Sequence, residues 1–153
     1  MTLPSTAREL LASGRLAHLT TINADGSPHV TAVWVGLDGD HILTGHTGAW
    51  QKVRNIQRDP RVVLAMDADS YALSGAQHSL VVYGTAQVTS GGAYALLTRL
   101  ARSYLDAQAA RAWVADRFPR GENTQAGYVV RITPLRISGL GPWNPVRPPR
   151  AAG

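Results

Sequence analysis

The sequence predicts a mainly β, α+β domain of six mostly antiparallel strands, with helices inserted between strands three and four and between strands five and six. Three observations carry this prediction. Strand-like runs rich in Val, Thr, Leu and Ile are joined by two tight-turn signals, Asp25-Gly26 and Asp38-Gly39-Asp40. Helical periodicity is confined to short blocks between such runs. A glycine, Gly84, interrupts the longest run, His78 to Thr89, as it would at a bulge or bend that curls a sheet toward a barrel.

Ser5 to Ser13 reads as a short helix, with Thr6 and Glu9 at capping-box spacing and Gly14 as a left-handed stop. Arg15 to Asn23, Pro28 to Leu37 and His41 to Thr44 follow as three strands of an antiparallel meander. Trp50 to Arg58 is an amphipathic helix that buries Val53 and Ile56 and turns Lys52, Arg54 and Asn55 to its other sides. Asp59-Pro60 ends it before a fourth strand, Arg61 to Asp67. A polar excursion, Asp69 to Gln77, leads to the fifth strand. Ala93 to Tyr104 and Asp106 to Phe118 are helical, and Leu96, Leu97, Leu100 and Leu105 supply an apolar face. Pro119 to Gln125 is a loop, and Tyr128 to Ile137 a final strand in which Pro134 suits an edge or a bulge. Gly139 to Gly153 holds four prolines and is expected to be irregular, with 1–145 forming a single domain and 146–153 a loose tail.

At 153 residues, 44% hydrophobic and 16% charged, the chain has a globular composition and can bury one core. It has no cysteine, which excludes disulfides and thiolate metal sites. No basic leader precedes an apolar run and no stretch approaches membrane-spanning length, so a soluble, cytoplasmic protein is expected, without a membrane partner. The net charge of +5 favours anionic partners. The arginines are scattered, and no nucleic-acid-binding motif accompanies them, so the expected partner is a phosphorylated or carboxylated small molecule. The five histidines match no zinc signature, no Gly-x-Ser-x-Gly elbow occurs, and Glu9 and Glu122 are the only glutamates. No metal site and no catalytic side chain is evident.

Lys52 is the single lysine beside fourteen arginines. It lies in the first turn of a helix that follows Thr44-Gly45-His46-Thr47-Gly48, a Gly/Thr loop without the Gly-Lys-Thr/Ser ending of a nucleotide-hydrolysing loop. Free N–H groups at a helix start and a lysine one turn in are suited to a phosphate. The strand Val30 to Val35, with Trp34 among small and β-branched residues, could present a flat wall to a ring system or be ordinary sheet core. Anion-binding features without a catalytic side chain suit chemistry that a cofactor carries.

With this order of elements, the chain resembles the split-barrel flavin-binding superfamily of pyridoxamine 5'-phosphate oxidase, and within it the small actinobacterial enzymes that use the deazaflavin coenzyme F420. The resemblance covers about residues 5–143. It rests on the hairpin Leu19 to Val30, on Lys52-Val53-Arg54-Asn55-Ile56-Gln57-Arg58-Asp59-Pro60-Arg61-Val62, on Val82 to Val88 and on Ile132 to Ile137. It implies a six-stranded antiparallel split β-barrel and a homodimer with two cofactor sites at the subunit interface. It places Lys52 and the loop Thr44, Gly45, His46, Thr47, Gly48 on the cofactor phosphate, and Thr31, Ala32, Val33 and Trp34 along the ring. Gln77, His78 and Ser79 would approach the cofactor, in part from the second subunit. The implied function is an oxidoreductase that transfers hydride from F420 to an unsaturated small molecule. The alternatives are an FMN-dependent oxidase or reductase and a non-catalytic cofactor carrier. The ending Gly141-Pro142-Trp143-Asn144-Pro145 offers no second phosphate clamp, which argues against oxidation of pyridoxamine phosphate itself.

Overall fold

The computed structural model describes residues 1–144, so the expected loose tail of 146–153 lies outside the described residues. Four helices surround one antiparallel sheet of seven strands. The elements are α1 (Ser5–Leu11), β1 (Ala17–Ile22), β2 (Pro28–Val33), β3 (Gly36–Asp38), β4 (His41–His46), α2 (Gln51–Arg58), β5 (Arg61–Tyr71), β6 (Gln77–Ser90), α3 (Ala93–Tyr104), α4 (Ala107–Arg117) and β7 (Tyr128–Leu140). The sheet order is β2-β1-β5-β6-β7-β4-β3.

Seven strands replace six because the predicted Pro28–Leu37 strand breaks at Trp34-Val35. The break also dissolves the meander. β2 pairs only with β1, whereas β4 pairs with β3 and β7, so the two halves of the predicted strand are opposite edges of the sheet. Two residues join those edges, and three Cα–Cα steps span at most ~11 Å. The sheet is therefore curled until its first and last strands come together at this corner.

Tyr104, at the end of α3, holds the corner. Its hydroxyl accepts from the Val35 N–H at 2.9 Å and donates to the Arg15 carbonyl at 2.8 Å. Its ring stacks on Trp34, with centroids 5.1 Å apart and planes 15° from parallel. Two backbone groups that leave the ladder at the break are thus satisfied by one side chain. α3 sits against β4, and Gly45 makes room for it: a Cβ there would come within 2.8 Å of Leu97 Cγ.

The expected bend at Gly84 and the expected bulge at Pro134 are one feature. The β6–β7 register shifts between Tyr83 and Gly84, where Gly84 faces Pro134 and Tyr83 faces Arg136, so Leu135 is the extra residue. A Cβ on Gly84 would strike the Thr133 carbonyl. Because β7 lies between β6 and β4, its proline is tolerated by the bulge and not by an edge position.

Three expected ends move. β5 and β6 continue as a hairpin into both ends of the predicted polar excursion, to Tyr71 opposite Gln77. β7 runs on to Leu140, and Trp143 is buried, its indole donating to the Ser79 carbonyl at 3.2 Å, so the chain through 144 is anchored. The capping box at α1 does not form. Its helix starts after Pro4 without a side-chain cap, and the Thr6 hydroxyl is buried without a partner. Asp40 holds this end instead, accepting from the Leu3 N–H and from Arg8.

Replacing Tyr104 by Phe keeps the stacking ring and leaves the Val35 N–H and Arg15 carbonyl without their partner. Tyr104→Phe is expected to lower unfolding free energy in urea by about 1–3 kcal/mol. An unchanged denaturation midpoint would remove Tyr104 from its role at the corner.

Candidate active site

A cavity of about 300 Å³ opens at the corner. Ala32, Val33 and Trp34 enter it from the end of β2, Gly45, His46 and Thr47 from the end of β4, and Lys52 from the first turn of α2. Seven of the residues picked out from sequence therefore converge. Thr31 joins them through its hydroxyl, which accepts from Lys52 Nζ at 3.2 Å.

The sequence reading needs correcting on how these residues are presented. Thr44, Gly45 and His46 are strand residues of β4 and not loop, because their backbone pairs with Tyr128 to Val130 of β7. Thr44 is fully buried and stands behind the cavity, its Oγ1 2.7 Å from His46 Nε2. Gly45's missing side chain makes room for Leu97 more than for a ligand. Gly48 lies under the Trp50 ring, 3.5 Å from where its Cβ would be. Trp34 is not a bare wall: Tyr104 covers it on one side, and Trp113 leans on it at 4.5 Å and 41°. Gln77, His78 and Ser79 do not line this cavity. Gln77 donates to the Ala68 carbonyl, His78 pairs with Ser70 at 2.8 Å, and the Ser79 carbonyl accepts from Trp143.

Lys52 was expected on a solvated face and is half-buried. Burial lowers its pKa from the ordinary lysine value. Its partner is a neutral hydroxyl, and among the described residues no carboxylate lines the cavity. A partly desolvated cation without a counter-charge favours an anion beside it. No side chain caps the start of α2, which leaves its first N–H groups oriented as for an anion. Asn55, expected on another side of the helix than Val53 and Ile56, is 2% exposed. It donates to Thr21 Oγ1 at 3.0 Å and Asn23 Oδ1 at 2.9 Å, which fixes α2 against β1 and so aims Lys52.

His46 is 5% exposed, and its pKa is pushed down to about 4, first by burial and then by the Lys52 charge. It is neutral at pH 7. Five further residues complete the walls: Leu16, Trp50, Leu97, Trp113 and Arg117. The sequence reading missed them as site residues. The Trp113/Arg117 pair, four apart on α4, puts the guanidinium 5.2 Å from the indole centroid, and this spacing was the available signal. Arg117 is ion-paired with Asp116, which leaves Lys52 as the cavity's uncompensated cation among the described residues. Three indoles around one lysine, without a carboxylate, fit a planar ring that carries an anionic group.

The sequence profile of the pyridoxamine 5'-phosphate oxidase family matches residues 3–140. The chain belongs to that family. Its fold is shared by solved structures at low identity. A conserved hypothetical protein from Mycobacterium tuberculosis is 22% identical, with a TM-score of 0.64 over 100% of this chain and 93% of that one. An F420 reductase is 24% identical, with a TM-score of 0.57 over 89% and 98%. The heme storage protein from Vibrio cholerae is 17% identical, with a TM-score of 0.59 over 91% and 95%. No curated protein sequence matches. Among the described residues no helix is long and apolar enough to cross a membrane.

The lowered pKa of His46 gives a pH signature with a definite sign. The unfolded chain takes up a proton near the ordinary value of 6.5, and the folded chain only near 4. Stability is therefore full above pH 6.5 and falls as pH drops toward 4, by about 3 kcal/mol over the window. His46→Gln should flatten unfolding free energy against pH between 6.5 and 4. Equal slopes in the two proteins would mean that His46 is not held neutral.

Proposed function

We propose that this protein is an oxidoreductase that binds the deazaflavin coenzyme F420 in the Lys52 cavity and serves hydride transfer to an unsaturated small molecule. The observation that carries the reading is Lys52 itself, half-buried, with its pKa lowered by burial and no carboxylate in the walls. Lys52 Nζ and the uncapped start of α2 would take the phosphate. Residues 31–34, with Trp50 and Trp113, would lie along the ring. When bound, the reduced coenzyme supplies the hydride. The chain's own contribution is to fix the ring's position, to exclude water with its indoles, and to place positive charge at the anionic end. Neutral His46, already hydrogen-bonded to Thr44, is not a general acid at pH 7, so the reaction's proton comes from water or from a solvent-accessible group.

The cavity is at the small end of ligand sites, which favours completion by a second copy of the chain. We read the protein as a homodimer. Its sheet has apolar side chains on the face away from the core: Val63 opposite Tyr83 and Ala65 opposite Val81 are all half-exposed, and Val30 is 56% exposed. A monomer would leave that band in water. In such a dimer Gln77, His78 and Ser79 would reach the partner's cofactor. We read the curled sheet, with Pro28 to Asp38 counted as one bent strand, as a six-stranded split barrel. FMN is the alternative ligand of the same cavity.

The test is a side-by-side fluorescence titration with F420 and FMN, with sedimentation equilibrium on the same samples. F420 should bind at micromolar concentration and more tightly than FMN, to a dimer. Lys52→Ala should weaken F420 binding about 10- to 150-fold. It should not lower stability, because it removes a desolvated charge. Tighter FMN binding would transfer the reading to flavin, and unchanged affinity in Lys52→Ala would overturn the assignment of the anion site.

A further inference from the structure

The α3–α4 hairpin encloses a second cavity, larger than the first, at about 580 Å³. One wall is a stripe of α3 at positions 94, 98 and 102, and the other is a stripe of α4 at 107, 110, 111, 114 and 115, continued by Phe118 just past its end. Both follow the i, i+3, i+4 spacing of one helix face. A packed helix pair ordinarily fills such stripes with large aliphatic side chains. Here Ala110 is buried while Ala107 and Ala115 are exposed at the rim, and these three small side chains leave the space between the helices open. Tyr94 and Phe118 close its inner end, edge to face with centroids 5.1 Å apart.

The cavity is apolar within and cationic at the rim. Arg102 and Arg111 line it, are exposed, and form no ion pair among the described residues. No carboxylate lines it. The apolar walls and the two unpaired guanidiniums together suit a molecule with an apolar body and one anionic end. The size is in the range that encloses small organic ligands.

We propose that this cavity is a second small-molecule site, distinct from the Lys52 cavity, which takes an amphiphilic monoanion of the arylalkyl carboxylate class. The apolar body lies against Tyr94, Val114 and Phe118, and the carboxylate faces Arg102 and Arg111. α4 forms a wall of both cavities, since Trp113 and Arg117 face the other one.

Three probes of one shape and different charge test this on the full chain: 4-phenylbutyrate, its neutral amide, and 4-phenylbutylamine, each titrated calorimetrically. The acid should bind, the amide should bind about tenfold more weakly, and the amine should not bind. An exposed charge pair contributes up to about fivefold per arginine, and the preference for the acid should shrink with added salt. Arg102→Gln with Arg111→Gln should reduce acid binding to the level of the amide. Ala115→Trp, which fills the cavity from its rim, should abolish binding of both. Equal affinity for all three probes, or no binding of any, would overturn the proposal. So would acid binding that is lost in Lys52→Ala but survives the double arginine change, because that places the ligand in the other cavity. If Ala115→Trp does not fold, the double arginine variant decides.

Discussion

The break at Trp34-Val35 is the constraint on which the rest of the structure depends. Two residues must connect opposite edges of a seven-stranded sheet, so the sheet must curl and the ends of β2 and β4 must meet. Leaving the ladder exposes a backbone N–H at Val35, and Tyr104 satisfies it while stacking on Trp34. That side chain comes from the end of α3, which is seated against β4 at Gly45. The corner, the helix that secures it and the cavity at its mouth are one arrangement.

Much of this was legible in the sequence because it is local. Hairpin turns, the start and stop of α2, and the glycine in β6 are set by residues within a few positions of one another. The division of Pro28–Leu37 was not legible, since nothing in Trp34-Val35 itself demands a break. The demand comes from Tyr104, sixty-nine residues on from Val35, and from β7 pairing with β4. The α1 capping box failed for the same reason: a distant carboxylate, Asp40, holds that end of the chain. A single pattern read twice, at Gly84 and Pro134, proved to be one bulge because the two strands are neighbours.

The site shows the same division. Lys52, His46 and residues 32–34 were identifiable by type and order, and the fold brings them together. Their electrical state was not legible. Asn55 anchors α2 to β1, and this turns Lys52 from a surface charge into a half-buried one and leaves His46 neutral beside it. Trp113 and Arg117 belong to the site only because α4 packs across the corner, a tertiary fact of which their spacing along α4 signals only the pairing and not the place.

Family membership rests on the sequence profile and the fold on shared topology, but the functional reading depends on what sits against Lys52. Phosphorus NMR of F420 bound to the protein tests that most directly, since it reports the phosphate separately from the ring. The phosphate resonance should shift on binding to the wild-type protein and return toward its free position in Lys52→Ala at saturating coenzyme, while ring fluorescence still reports a bound ring. A bound ring whose phosphate resonance is the same in both proteins would contradict the account.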